Sequence, residues 1–325
     1  MPAPPPSVRY SERCDHLGQA NLRKLDRASV AVPPSLAVPS QAVANEIANA
    51  TAYYGARVPW TAIYTSYQFH NYRGSDVKVA LRQLAGGNCA YCESKIGAVG
   101  AREVEHYRPK GGIADLDMHP GYWWLAHRWD NLLPTCRDCN KSLRQNIVTA
   151  GMTKAEVLKL QGKRAAASFG KANQFEIRGQ RAVGSGCNLD LEDPLLIDPC
   201  RNDPSQHVTW DFSVELTLIE PALVDGDYSV YGAYTIRTCA LNRAELVLDR
   251  IPALRPMRVL RTRLINRLNG WTGDADELAD ILLECETLSS FAEHDQPYAG
   301  MAAAFIRDFE DELDRWRVSQ GLPPF

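Results

Sequence analysis

Cys89-Ala-Tyr-Cys92 and Cys136-Arg-Asp-Cys139-Asn140 frame the centre of this 325-residue chain. Each Cys-x-x-Cys pair lets two sulfurs point at one ion, and two such pairs complete the tetrahedron of a structural zinc site closed to water. Because 43 residues separate Cys92 from Cys136, the predicted site encloses a substantial insert. Two unrelated redox-active pairs are the alternative, but paired knuckles at both ends of one insert favour Zn²⁺.

The insert contains a carboxylate next to a histidine, Glu105-His106, in the strand-like stretch Val104-Glu-His-Tyr. Neighbouring side chains on a strand point to opposite faces, so these two can share a site only at a strand end. Imidazole can take a proton from water as a general base, and a carboxylate can hold Mg²⁺ or Mn²⁺. Within the cysteine frame, the pair predicts metal-assisted phosphodiester hydrolysis; alone, it would indicate an ordinary surface pair.

Two asparagines accompany this pair. Asn140 directly follows the last cysteine, so bound zinc would fix its backbone, and its amide oxygen is a suitable ligand for Mg²⁺. Asn131 can hydrogen-bond the loop that orients His106. The alternatives are a helix N-cap for Asn140 and an ordinary turn residue for Asn131.

Basic residues flank these groups and are candidates for contacts to phosphates rather than to base edges. The stretch from Lys141 to Lys171 holds seven basic residues against one acid, whereas Gly273 to Arg315 holds thirteen acids against two arginines. The first stretch can face phosphates and the second would repel them, with a solvated helix face as the alternative for both. The individual phosphate candidates are Arg108, Lys110, Lys141 and Arg144.

The composition is that of an ordinary globular protein, and the net charge of −3 does not indicate a strongly basic, stand-alone DNA-binding protein. The apolar runs are too short to span a bilayer, and the N-terminus Met-Pro-Ala-Pro-Pro-Pro does not resemble a signal peptide. We therefore expect a cytoplasmic protein without a membrane partner. The five cysteines outside the pairs are expected to be reduced and buried.

Composition and periodicity divide the chain into three predicted segments. Residues 1–75 form a proline-rich lead-in with helices, residues 76–200 carry the chemistry, and residues 201–325 form a mainly helical region expected to bind a partner. Pro252 and Pro256 are expected to break or kink a long helix at 243–268. Strands are predicted at 104–107, 207–210 and 214–219. The other predicted helices are 18–27, 41–56, 76–85 with Asp76 as N-cap, 140–144, 152–167, 274–290 and 298–318.

The order of these motifs resembles the HNH, or ββα-metal, endonuclease superfamily. The resemblance implies a ββα-metal core in which His106 is the general base and Asn131 is the orienting asparagine. It also implies Glu105 and Asn140 as ligands of one divalent ion. One departure is that many family members carry Asp where this chain has the longer Glu105. The matching motifs are Cys89-x-x-Cys92, Glu105-His106-x-x-Pro109, Asn131-Leu132 and Cys136-x-x-Cys139-Asn140.

Further motifs resemble the HNH nuclease subunit family (PtuB) of Septu-type anti-phage systems, also found with some retrons. This resemblance covers about residues 85–310 and implies a PtuA-like ABC- or AAA-type ATPase as partner, with a role in antiviral defence. A nuclease held in such a complex needs no strong DNA affinity of its own, which fits the acidic balance. The motifs are Val104-Glu-His-Tyr-Arg-Pro-Lys, Tyr122-Trp-Trp-Leu-Ala, Trp129-Asp-Asn-Leu-Leu, Leu196-Ile-Asp-Pro-Cys, Leu241-Asn-Arg and Pro297-Tyr-Ala-Gly-Met.

We therefore expect an α+β fold with a zinc-stabilised ββα-metal core and mainly helical N- and C-terminal extensions. The expected activity is hydrolysis of nucleic acid, DNA rather than RNA, with structural Zn²⁺ and catalytic Mg²⁺ or Mn²⁺. Two alternatives stay open: a nuclease of the same fold that acts on RNA such as tRNA, and a catalytically silent zinc module that scaffolds the ATPase. The intact Glu105, His106 and Asn140 argue against a silent module, because a scaffold would need only the cysteines.

Overall fold

The computed structural model describes residues 23–37, 39–56, 66–96, 103–116 and 118–322. Helices and short antiparallel strand pairs make up these ranges, so the fold class is α+β, as expected. The prolines at 2–6 and most of the predicted helix 18–27 lie outside the described residues. The α-helices are α1 (Pro34–Ala37), α2 (Gln41–Gly55), α3 (Ser75–Leu84), α4 (Arg137–Asn140), α5 (Lys154–Gln161), α6 (Val230–Thr238), α7 (Ala244–Gly270), α8 (Ala275–Ser289) and α9 (Ala299–Ser319). The strands are β1 (Glu103–His106), β2 (Leu132–Thr135), β3 (Leu143–Arg144), β4 (Ser168–Phe169), β5 (Val208–Trp210), β6 (Ile219–Pro221), β7 (Leu223–Val224) and β8 (Asp227–Tyr228).

The centre of the fold is a two-stranded sheet followed by a short helix. β1 and β2 are antiparallel, with His106 opposite Leu132 and Glu105 opposite Leu133. All four residues of β2 are buried, as a short continuous apolar run predicts for a core strand. Cys136 directly follows β2 and is the N-cap of α4. The sheet therefore brings the second cysteine pair close to the Glu105-His106 pair.

Helix α3 packs against β2 and leads into the first cysteine pair. The predicted N-cap was wrong, because Gly74 occupies that position. The Asp76 carboxylate instead accepts a hydrogen bond from the Ser35 backbone N–H at 2.9 Å and so ties α3 to α1. The apolar residues of α3 recur at helical spacing and form its buried face: Val77, Ala80, Leu81 and Leu84.

Helix α7 differs from its prediction, because Pro252 and Pro256 lie inside it without ending it. A proline inside a helix removes one backbone hydrogen bond and costs about 3 kcal/mol. Tertiary packing offsets this cost, since Leu254 and Met257, on either side of Pro256, are buried in the main core. Long-range burial has here overridden a local helix-breaking signal.

Three further elements are shorter or different from their predictions. The predicted helix 140–144 is wrong, because α4 ends at Asn140 and the chain continues into β3. Helix α5 covers only part of 152–167: Thr153 and Glu156 form a capping box at its start, and Gly162 follows its last residue. Of the predicted strand 214–219, only its last residue lies in a strand, β6.

The three predicted segments share one hydrophobic core. Its main cluster includes Tyr54 from the first segment, Leu133 from the second and Phe305 from the third, all at most 2% exposed. A smaller cluster around Val157 and Val247 joins α5 to α7. In the part of the chain that the structure describes, the search for a helix long and apolar enough to cross a bilayer gives none.

Candidate functional site

Four cysteine sulfurs form a compact cluster next to the central sheet. The Sγ atoms of Cys89, Cys92, Cys136 and Cys139 all lie within 4.8 Å of one another, and three of these residues are fully buried. The backbone N–H of Cys136 donates to the Cys89 Sγ at 3.3 Å. Four sulfurs at such distances can hold a metal ion such as Zn²⁺.

The sulfur spacing fits zinc. Zn–S bonds of about 2.3 Å in a tetrahedron place neighbouring sulfurs about 3.8 Å apart. The Sγ atoms of Cys92 and Cys136 are 3.7 Å apart. The pKa of the Cys92 thiol lies well below its usual range, chiefly because of its hydrogen bond with Cys136. A thiolate is the form of cysteine that binds metals.

Backbone contacts place the first cysteine pair against the sheet. Gly86 and Gly87, with φ angles of 58° and 81°, turn the chain out of α3. A side chain at Gly86 would meet the backbone carbonyl of His294 at 2.1 Å, so this turn also requires glycine for close approach. The Ala90 N–H then donates to the Pro134 carbonyl in β2 at 2.8 Å.

An open cavity of about 650 Å³ lies beside β1. It brings together five of the predicted site residues, and its far wall is formed by residues 66–70, 72 and 73 and by Lys78 of α3. Arg108, Asn131 and Arg144 are not among the residues that line it. The predicted site residues on the cavity are Glu105, His106, Lys110, Asn140 and Lys141.

His106 is buried and fixed by two contacts. Its Nε2 lies 2.9 Å from the Ala126 carbonyl oxygen, which can only accept a hydrogen bond, so Nε2 carries the proton. The Tyr72 ring packs on the imidazole with 4.5 Å between centroids. Burial and the charge of Lys110 hold the pKa of His106 well below its usual range. The imidazole is therefore neutral, with Nδ1 unprotonated.

Glu105 is paired with a lysine that sequence reasoning assigned to a surface. The Nζ of Lys171 lies 2.5 Å from Oε1 of Glu105 and donates to the His106 carbonyl at 2.8 Å. Lys171 is 0% exposed, so its predicted place in a phosphate-facing basic run was wrong. Burial raises the pKa of Glu105, and the charge of Lys171 opposes that rise. Oε2 of Glu105 is the oxygen that this pair leaves for a ligand.

The position of Lys171 depends on close backbone contact. Gly170 has a φ of 125°, and a side chain there would lie 1.8 Å from the Lys141 carbonyl oxygen. The Lys171 N–H donates to the Cys139 carbonyl at 2.8 Å, so the segment runs beside α4. A glycine immediately before a lysine is the only local signal, and it does not reveal which carboxylate the lysine meets.

Asn140 is oriented by Glu103, another residue that sequence reasoning missed. The Nδ2 of Asn140 donates to Oε2 of Glu103 at 2.5 Å, so its amide oxygen is the atom left for a cation. The Nζ of Lys141 lies 3.6 Å from Oε1 of the same carboxylate. Glu103 and Glu105 are two positions apart on β1, so strand alternation predicts that both point to one face. Together with Glu105, the Asn140 oxygen suits a hard cation such as Mg²⁺.

Asn131 organises the backbone around His106. Its Oδ1 accepts from the Arg108 N–H at 2.8 Å, and its Nδ2 donates to the carbonyls of Arg108 and Leu125 at 3.1 and 3.3 Å. The two hydrogen bonds with Arg108 hold the loop after His106. The hydrogen bond to the Leu125 carbonyl holds the turn that carries Ala126, whose carbonyl accepts from the imidazole.

The structure places two phosphate candidates off the cavity. Arg108 is 4% exposed, and its Nε pairs with Glu192 at 2.7 Å. Arg144 is exposed but donates to the Ala165 carbonyl at 3.0 Å and lies off the cavity. Lys110 and Lys141 stay candidates. Arg73 and Lys78 are exposed on the same cavity and were missed, because they precede the predicted catalytic motifs.

A buried carboxylate supports the far wall. Glu46 of α2 accepts hydrogen bonds from the backbone N–H groups of His70 and Asn71 at 2.8 and 3.0 Å. Its Oε2 also lies 2.7 Å from Nε2 of His127, which follows Ala126. Glu46 therefore joins the turn that carries Tyr72 to the segment that holds His106.

Comparison with known proteins gives three similar relatives, all Septu proteins. No family model matches the chain, and no solved structure matches it. Septu protein PtuB from Bacillus thuringiensis is 37% identical over 65 residues, which are 20% of this chain and 22% of the relative. Septu protein PtuA from Bacillus mycoides (strain KBAB4) is 29% identical over 173 residues, which are 51% of this chain but only 19% of the relative. Over 272 residues, 76% of its length, the chain is 28% identical to Septu protein PtuB of the same B. mycoides strain and covers 79% of that protein, so it is similar to a PtuB protein through most of its sequence.

Proposed function

We propose that this chain is a metal-dependent endonuclease of the HNH type and the nuclease component of a Septu-type anti-phage system. The observation that best supports the activity is one open cavity lined by Glu105, His106 and Asn140 beside a cysteine cluster with zinc spacing. The order β1, β2, α4 agrees with the ββα-metal core that the sequence motifs imply. Similarity to PtuB supports the role in defence.

His106 is the general base in this proposal. Its neutral imidazole accepts the proton of the water that attacks the phosphodiester. The hydrogen bond from Nε2–H to the Ala126 carbonyl fixes the ring and stabilises the positive charge that develops on it. Asn131 acts through the backbone, because it holds both the loop after His106 and the turn that carries Ala126.

Glu105 and Asn140 are the ligands proposed for one Mg²⁺ or Mn²⁺. When bound, such an ion would supply positive charge beside the scissile phosphate and the leaving 3′ oxygen. Glu103 turns the Asn140 amide so that its oxygen is free, and Lys171 holds the carboxylate of Glu105 in place. Lys110, Lys141, Arg73 and Lys78 provide positive charge for the phosphates of the bound strand.

The wider assembly is also a proposal. Residues 76–200 form the nuclease unit with zinc bound by the four cysteines, residues 1–75 complete its cavity, and residues 201–325 are the region proposed to bind a PtuA-like ATPase. The similarity to PtuA covers a fifth of that protein and reflects a shared segment, so the partnership rests on the Septu resemblance. DNA is the proposed substrate. A catalytically silent scaffold is the alternative, and metal-dependent cleavage that His106→Ala abolishes would exclude it.

The test compares His106→Ala with the wild type and with His294→Ala, a substitution of an exposed histidine outside the cavity. Each protein, alone and with a PtuA-like ATPase, is incubated with plasmid DNA or total tRNA in Mg²⁺ or Mn²⁺. We expect His106→Ala to lower the cleavage rate by about 10²-fold or more and to keep its zinc content. Wild-type rates in His106→Ala would refute the assignment of the base. Absence of cleavage by every wild-type preparation would favour the scaffold, and cleavage of tRNA alone would make the substrate RNA.

A further inference from the structure

Of two buried arginines at the start of α7, one contacts the cysteine cluster. Arg243 is the N-cap of α7, and Arg250 lies seven residues later, so both are on the same face of the helix. Arg243 is 5% exposed and Arg250 is 1% exposed. Burial of two guanidinium groups within two helical turns requires a source of negative charge nearby.

Arg243 directs its donors at the sulfurs. Its Nη1 lies 3.5 Å from the Sγ of Cys139, and its Nη2 lies 3.5 Å from the Sγ of Cys92 and 3.9 Å from that of Cys136. Its other acceptors are the backbone carbonyls of Cys239 and Ala240 at 3.5 and 3.2 Å. One planar guanidinium therefore spans three of the four predicted zinc ligands.

Arg250 has no such acceptor. Within the described ranges, none of its three side-chain nitrogens has a hydrogen-bond partner, and its guanidinium lies over the Trp210 ring at 4.7 Å. The groups whose charge acts on it are Tyr298, Cys92, Arg243 and Glu93. Arg243 is therefore the arginine whose donors reach the cysteine cluster.

A metal-bound cluster would supply the negative charge that Arg243 meets. Four thiolates around one divalent ion carry a net charge of −2, and the guanidinium of Arg243 offsets part of it. Four neutral thiols, or disulfides, would offer this buried guanidinium no counter-charge at the sulfurs. We propose that Arg243 is a counter-ion of a divalent metal centre held by the four cysteines, and that this attraction locks the start of α7 onto the centre.

The proposal is independent of nuclease activity, and zinc release tests it. Arg243→Met removes the charge and keeps the length of the side chain, Arg243→Lys restores the charge, and Arg255→Met is the matched control on the exposed side of α7. The rate of zinc transfer to a chromophoric chelator is measured for each purified protein. We expect transfer from Arg243→Met to be about tenfold faster, which corresponds to about 1.4 kcal/mol of lost charge-assisted hydrogen bonding. The transfer rate of Arg243→Lys should lie between the rates of Arg243→Met and Arg255→Met.

Hydrogen exchange on the wild type provides a second test that needs no variant. Removal of zinc should increase exchange in residues 244–257 of α7 together with the two cysteine pairs. Equal release rates for Arg243→Met and Arg255→Met would overturn the proposal. If Arg243→Met does not fold, unchanged protection of α7 after zinc removal would overturn it. A wild-type protein that lacks a divalent metal at the four cysteines would also overturn it.

Discussion

The buried pair of Lys171 and Glu105 is the residue-scale feature that most changes the chemistry expected here. A carboxylate in an apolar pocket would tend to take up a proton, since burial raises its pKa. The ammonium of Lys171 opposes that tendency and also holds the His106 carbonyl. The lysine thus favours the ionised form of Glu105 and holds its carboxylate in place without itself lining the cavity.

Removal of Lys171 should therefore destabilise the whole protein. Lys171→Met leaves Glu105 buried without a partner, and we expect the free energy of unfolding to fall by about 3–5 kcal/mol. The double variant Lys171→Met/Glu105→Gln should recover most of this loss, because it removes both charges. Urea denaturation of the wild type, the two single variants and the double variant measures these free energies of unfolding. Lys163→Met, an exposed change in the same basic run, should stay within about 0.5 kcal/mol of wild type; equal stability of Lys163→Met and Lys171→Met would contradict the pairing.

Among the secondary-structure elements, more than the central sheet and α4 builds the candidate cavity. The turn at 70–73 and helix α3 form its opposite wall, and Glu46 of α2 ties that wall to the His106 side. This wall carries Arg73 and Lys78, both exposed on the cavity. N-terminal elements therefore contribute positive charge where the proposed substrate would bind.

Loss of those two charges should weaken binding without altering the chemistry. Each phosphate contact contributes about 0.7–0.9 to the slope of log affinity against log salt. We expect Arg73→Ala/Lys78→Ala to make that slope shallower by up to this amount per residue, with little change in kcat. Binding of an oligonucleotide to the His106→Ala protein at several salt concentrations measures the slope. Arg82→Ala, on the same helix but off this cavity, is the control; if it changes the slope equally, the effect comes from overall charge.

Comparison of the predicted and observed helix ranges shows which boundaries local sequence determines. Helices α2, α3, α8 and α9 agree closely with their predicted ranges, because apolar spacing and end signals are local. Helix α7 continues past Pro252 and Pro256 because burial of its apolar face in the main core offsets the backbone hydrogen bonds that the prolines remove. The predicted helix after Cys139 is wrong because residues 143–144 instead pair with residues 168–169 as strands.

At the scale of the whole molecule, the cysteine cluster and the C-terminal helices belong to one core. Cys89, Cys92 and Cys139 lie in the same hydrophobic cluster as Leu254 of α7 and Phe305 of α9. A change at the cysteine cluster should therefore affect this shared core rather than a separate module. Structural zinc sites form together with the fold around them.

Loss of one ligand should accordingly affect the entire chain. Cys89→Ser is expected to lose zinc and solubility, and any soluble fraction should unfold at a lower temperature in a single transition that includes the C-terminal helices. Zinc analysis and thermal melts by circular dichroism measure both effects. Cys187→Ser, at an exposed cysteine outside the cluster, should match the wild type. Unchanged zinc content in Cys89→Ser would contradict the structural metal site.

The cysteine pairs, the Glu105-His106 strand and most helices could be predicted from the sequence, because each depends on residues a few positions apart. The surroundings of the charged side chains could not, because they depend on the folded structure. Lys171, Arg108 and Arg243 all look like surface residues in sequence, yet each is buried against a partner 66, 84 or 151 positions away. The free energy of a charged side chain depends on its desolvation and on the groups that surround it, and both are set by long-range packing.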